Sequence, residues 1–157
     1  MAEPDKAAAG SAPQAVVFRL PLTVQWGDCD PAGIIFYPTY YRWMDAATWA
    51  MFAQAGYAAA RMRAESLSLP LVNAECSFER SPTFGDACTV QSHVARWGGK
   101  SFTVAHSFVD AAGAVLARGS ETRVWCRYEA GPGSPLRGER ISDALKALFA
   151  VPPAQPQ

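Results

Sequence analysis

The chain has 157 residues, a length suited to one domain with a single buried core. Half of its residues are hydrophobic and 14 basic residues balance 14 acidic ones. That excludes a largely disordered chain, and it excludes the basic surface of a dedicated nucleic-acid or polybasic membrane binder. The four cysteines (Cys29, Cys76, Cys88, Cys126) show no CxxC and no metal-finger spacing, which suits a reducing cytoplasm better than a disulfide framework.

In chain order, Met1 to Gln14 is rich in Ala, Gly and Pro and reads as a disordered tail, as does "VPPAQPQ" at 151–157. The tail lacks the apolar stretch of a secretory signal, and no run is long enough to cross a membrane. A single folded domain is expected over 15–150. Alternation from Leu20 to Trp26 predicts a strand, and Pro21 directs it to a sheet edge or a bulge. Two acids follow in "GDCDPAG", then a dense aromatic run through Trp43.

Pro38 suits the first position of a helix. From Tyr41 the apolar residues Met44, Thr48, Met51, Phe52 and Ala55 recur at helical spacing, with Gly56 as a stop. Between Tyr40 and Tyr57 only Arg42 and Asp45 are charged, so this helix is expected to be wrapped by other elements. A weaker helical segment runs from Ala58 to Ser66. Then come four strand-like runs, "NAECSFER", "ACTVQSHVARW", "SFTVAHSFVD" and "VLARGSETRVWCRYE". Gly98-Gly99 and Asp110-Ala111-Ala112-Gly113 supply hairpin turns between them. "AGPGSPLRGE" reads as a loop, and "SDALKALFA" as a short helix capped by Ser142. One strand, a long helix and four antiparallel strands make an α+β domain, a five-stranded sheet around one central helix. Its bare edges favour dimerisation.

The segment "GDCDPAGIIFYPTYYRWMDAA" resembles the N-terminal motif of the hotdog-fold acyl-CoA thioesterases, in particular the 4-hydroxybenzoyl-CoA type of bacterial aromatic degradation. "RWGGKSFTVAHSF" and "SETRVWC" resemble that type more weakly, so the likeness runs from Leu20 to Tyr128. The resemblance implies hydrolysis of an acyl-CoA, aroyl or short acyl, to free acid and CoA, with no metal or redox cofactor, in a homodimer or homotetramer. It also implies that the aspartate at Asp30 is the essential carboxylate, acting as nucleophile or general base. The backbone N–H at Tyr37 is then the group that polarises the thioester carbonyl.

The residues themselves are compatible with that chemistry. There is no GxSxG elbow, and the two histidines, His93 and His106, fall within strands. A carboxylate is the remaining candidate nucleophile or base, and Asp30 is held extended by the proline after it. Gly33 supplies a turn toward a helix start with unpaired N–H groups and a positive dipole end. Asp before Pro is equally a common turn former. Asp28 reads as its scaffold. Phe36, with the neighbouring aromatics, is a candidate wall for a flat acyl pocket. Asp45 pairs with Arg42 one turn away, or meets the polar end of the acyl group. His106 shares an apolar strand face and reads as a hydrogen-bonded core residue; without an acid partner in the strand pattern it argues against a dehydratase. Arg96, Lys100, Arg123, Arg127, Arg137 and Arg140 are candidates for the CoA phosphates. Where the resembling enzymes carry arginines, this chain has Gly98-Gly99, and Lys100 is the basic position kept there. Two alternatives stay open: hydrolysis of acyl groups on acyl carrier protein, and a non-catalytic acyl-CoA-binding dimer.

Overall fold

The structure, a computed structural model, describes residues 15–150; both expected tails lie outside the described residues. Five strands form one antiparallel sheet: β1 (Phe18–Thr23), β3 (Leu71–Phe78), β4 (Ala87–Trp97), β5 (Ser101–Asp110) and β6 (Val115–Val124). They lie in the order β1-β4-β5-β6-β3. Pro21 sits opposite Thr89 on the edge strand β1, where its missing N–H leaves no central ladder broken. The two expected hairpins close as the turn residues demand. Gly98 N–H donates to the Ser101 carbonyl at 2.7 Å. Asp110 Oδ1 accepts from Ala112 and Ala114, and Gly113 adopts φ +83°.

Alternation decides which face is buried. On β4, Cys88, Val90, Ser92 and Val94 point inward; on β5, Phe102, Val104, His106 and Phe108 do. The long helix α1 (Pro38–Gln54) lies on that face through Tyr40, Met44, Ala47, Thr48, Met51 and Phe52, an i, i+3/i+4 stripe. Helix and sheet come together at Gly119, where an added Cβ would collide with Met44 Sδ and stand 3.0 Å from the Glu75 carbonyl oxygen. The wrapping is one-sided, however. Arg42, Asp45, Ala46, Ala53 and Gln54 face outward, because one sheet can cover only one side of a helix.

The last strand-like run is not one strand. It leaves the sheet at Trp125, since β5 begins at Ser101, the partner of Val124, and beyond it only the Lys100 carbonyl accepts the Trp125 N–H, at 2.8 Å. Trp125 turns its buried indole onto Phe52 and Tyr57. The chain then enters a small sheet of β2 (Leu67–Ser68), β7 (Cys126–Tyr128) and β8 (Leu136–Gly138). The segment expected to be only a loop therefore supplies a strand, β8. Two short helices complete the fold, α2 (Ala59–Ala64) and α3 (Asp143–Ala147). Ser142 caps α3, its Oγ accepting the Leu145 N–H at 3.1 Å. All four cysteines are free, and burial pushes the Cys76 and Cys88 thiols up to about 11. Among the described residues no helix is long and apolar enough to cross a membrane.

Candidate active site

Between β1 and α1 the chain makes a compact double turn built from its own polar groups. Asp28 closes a 3-10 turn: Oδ2 accepts the Gln25 N–H at 2.9 Å and Oδ1 takes Arg42 Nη2 at 3.1 Å. Its carbonyl also accepts the Phe36 N–H at 2.9 Å. Asp28 is thus the scaffold expected from its position. Arg42 is committed to it rather than to Asp45.

Asp30 begins the second turn. Its N–H donates to the Ile34 carbonyl at 2.8 Å and its own carbonyl accepts from Gly33 at 2.9 Å. Gly33 adopts φ +77°, a conformation a side chain would strain. The Asp30 carboxylate accepts the Ala32 N–H through Oδ1 at 2.8 Å, an Asx turn. Oδ2 meets no donor among the described residues. The side chain is half-buried.

The returning chain pairs Ile35 with Cys29 and enters α1 through Phe36 and Tyr37. Tyr37 is the cap residue, with Pro38 at the first helical position. Phe36 donates to Asp28, Thr39 to the Phe36 carbonyl and Tyr40 to the Tyr37 carbonyl, and Pro38 has no N–H to give. The Tyr37 N–H finds no acceptor among the described residues, and it lies at the positive end of a 17-residue helix. The Phe36 and Tyr37 rings meet edge to face at 5.6 Å, half or more exposed. Trp26, Ile34 and Phe84 are exposed on the same stretch and the loop beside it. One short segment therefore offers an available carboxylate oxygen, an unclaimed N–H and an apolar surface.

The other expected site residues lie elsewhere. Asp45 is about 10 Å further along α1 at 1.5 Å per residue. Its partner is Arg123, whose Nη2 stands 2.5 Å from Oδ1, while the Asp45 side chain stays half-exposed. Lys100 occupies the β4–β5 turn. That is the opposite end of the sheet from the Asp30 segment, which follows the Thr23–Ala87 pair. The length of β4, about 35 Å at strand rise, separates them within one chain.

A second polar cluster is hidden between α1 and the sheet. Glu121, 1% exposed, accepts Thr48 Oγ1 at 2.7 Å and two bonds from Arg123, at 2.9 and 3.2 Å. Arg123 also donates to the Leu69 carbonyl at 3.0 Å. It is a buried partner of two acids, which corrects its expected candidacy for CoA phosphate. Arg127 is likewise engaged, with Glu139 and the Glu65 carbonyl. His106 is the hydrogen-bonded core histidine expected, Nδ1 lying 2.8 Å from Ser92 Oγ. Its acid partner, missed in the sequence, is Glu121, whose Oε2 lies 3.5 Å from Nε2 without forming an aligned hydrogen bond. Ser92, His106 and Glu121 thus line up like a hydrolytic triad, yet Ser92 is 0% exposed and no substrate reaches it. Burial alone would raise the Glu121 carboxyl; the neighbouring His106 ring, hydrogen bonds from Arg123 and Thr48 and the Arg123 charge outweigh it and hold it at about 2. The sequence signal for this cluster is the opposite charges Glu121 and Arg123 at i, i+2, which place both on one strand face.

Comparison with known proteins agrees with this architecture. Residues 24–154 match the thioesterase-like superfamily. The 4-hydroxybenzoyl-CoA thioesterase of Pseudomonas sp. strain CBS-3 is 34% identical over 87 residues, 54% of this chain; the match spans 62% of that relative's length. Among solved structures, a 4-hydroxybenzoyl-CoA thioesterase carrying an Asp-to-Asn substitution and complexed with 4-hydroxybenzoyl-CoA superposes with TM-score 0.76. It is 28% identical, over 85% of this chain and 99% of that one. A gentisyl-coenzyme A thioesterase superposes with TM-score 0.71 at 30% identity, over 84% and 98% of the two chains. The chain therefore belongs to the thioesterase-like superfamily and has the hotdog fold.

Proposed function

We propose that the protein hydrolyses an acyl-CoA thioester, releasing the free acid and CoA. The observation that carries this reading is the Asp30–Tyr37 segment, in which a carboxylate oxygen and a backbone N–H both stand free within eight residues of one another. The substrate carbonyl oxygen accepts the Tyr37 N–H, and the α1 N-terminus stabilises the negative charge that grows there on attack. Asp30 Oδ2 either adds to the carbonyl carbon, to give an acyl-aspartyl anhydride that water then opens, or takes a proton from an attacking water. Either way the tetrahedral intermediate collapses by breaking the C–S bond.

The acyl group is proposed to be aromatic and hydroxylated. Two similar proteins are named for 4-hydroxybenzoyl-CoA and gentisyl-CoA. Phe36 supplies a flat wall, and the Asp45 carboxylate, fixed at one oxygen by Arg123, has its exposed side left to accept a ring hydroxyl. Lys100 joins the site only if a second copy brings it there, to hold the nucleotide phosphates. A homodimer or homotetramer would supply that copy and would cover the exposed Trp26, Ile34, Phe84 and Tyr37.

The test is release of free thiol from a panel of aroyl- and alkanoyl-CoA esters. The native protein should cleave hydroxybenzoyl esters best. Asp30→Asn should lose about a hundredfold or more in kcat while still binding the thioester. Wild-type turnover by Asp30→Asn would remove Asp30 from the mechanism.

A further inference from the structure

The Asp30–Tyr37 segment is not held by its own turns alone. The connection between β3 and β4 grips it at both ends. Before the turn, Val24 N–H donates to the Asp86 carbonyl at 2.9 Å and Gly85 N–H donates back to Val24 at 3.0 Å. After the turn, Ile34 bridges to Thr83, and Ile35 N–H donates to Ser81 Oγ at 3.3 Å. Asp86 in turn fixes Thr83, its Oδ2 accepting the Thr83 N–H at 2.9 Å and hydroxyl at 3.3 Å. Ser81 is the one side chain in this grip that reaches across to the returning strand.

Below it lies an unusual group. Tyr40, in the first turn of α1, is buried against Trp43, Phe78 and Phe108, and its hydroxyl has no aligned hydrogen-bond partner among the described residues. Burial pushes the phenol up, and the Ser81 hydroxyl opposes that as a hydrogen-bonding neighbour. Ser81 Oγ holds the Ile35 N–H, two residues before Tyr37, and Tyr40 is packed among aromatic rings three residues after it.

We propose that Ser81 is a positioning residue for this site, setting the separation between the Asp30 carboxylate and the Tyr37 N–H through the Ile35 N–H that its hydroxyl holds between them. It touches neither substrate nor reacting atoms. This rests on the thioesterase reading and deepens it, since the distance it controls matters only if both groups act on one carbonyl.

The test measures Ser81→Ala and Ser81→Thr on the best acyl-CoA substrate of the native protein, with amide hydrogen exchange alongside. Ser81→Ala should lower kcat about tenfold with KM within about twofold, and accelerate exchange at the Ile35 amide about five- to tenfold. Ser81→Thr, which keeps the hydroxyl, should restore both. If Ser81→Ala keeps wild-type kcat while Asp30→Asn is inactive, the positioning role is overturned and the thioesterase reading stands. If Ser81→Thr is as impaired as Ser81→Ala, size rather than the hydroxyl is responsible and the proposal fails. If the native protein cleaves no acyl-CoA, the thioesterase reading fails and the positioning role falls with it, whatever the exchange at Ile35 shows.

Discussion

Asp28 and Asp30 are separated by one residue and do opposite things. Asp28 has both oxygens occupied, one by the Gln25 N–H and one by Arg42, whereas Asp30 uses one oxygen and keeps the other open. On the proposed mechanism chemistry therefore falls to the second acid and geometry to the first. Replacing Asp28 with alanine should free both the 3-10 turn and Arg42, costing about 1 kcal/mol of stability. It should also lower kcat on acyl-CoA esters, with urea unfolding and thiol release measured on the same preparation. Unchanged turnover would show that the turn holds its shape without this acid. The different fates of the two acids were partly legible in advance. Proline after Asp30 and glycine at 33 forecast an extended acid beside a turn. Nothing local forecast that Arg42 would reach back fourteen residues to Asp28, since helical spacing offered it Asp45 instead.

Elements meet where the sequence leaves room. Gly119 lies mid-strand, a position where glycine usually weakens a sheet, and it is there because α1 crosses with Met44 against it. Gly119→Ala should cost about 1–3 kcal/mol through overpacking, visible as a lower thermal midpoint. A midpoint equal to wild type would mean that Met44 has somewhere else to go. Periodicity made α1, the five main strands and their hairpins readable, because period 3.6 and period 2 are local signals. The exit of the chain at Trp125 and the pairing of β2, β7 and β8 were not readable. They depend on where a neighbouring strand stops, which no single segment records. Glu121 and Arg123 escaped for a related reason: their strand looked half-polar until the face carrying them turned out to be the covered one.

At the scale of the whole molecule, a buried ionised cluster ties stability to acidity. Glu121 titrates at about 2 in the fold against an ordinary 4.5, so the folded protein holds this proton less tightly than the unfolded chain does. Its contribution is complete above pH 4.5 and is lost as pH falls through about 2, amounting to roughly 3 kcal/mol. Unfolding free energies measured across that window should fall for the native protein and fall less steeply for Glu121→Gln. Parallel curves for the two would mean the carboxylate is not held as described. Glu121→Gln should also be less stable at neutral pH, because Arg123 keeps its charge in the interior with Asp45 as its only remaining acid among the described residues.

Within the turn between β1 and α1, the bonds running from Gln25 to Phe36 each span fewer than a dozen residues, and the β3–β4 connection fastens the turn at its two ends. Such a unit carries little loop-closure cost and can form before the sheet is complete. Its groups are also chemically indifferent to which acid is being released. Of the residues proposed to grade one acyl group against another, Phe36 closes that ring of bonds, whereas Asp45 projects from further down the helix. On the proposed mechanism the contact to the polar end of the acyl group is thus separable from the reacting turn, so a change in what is cleaved need not disturb how it is cleaved.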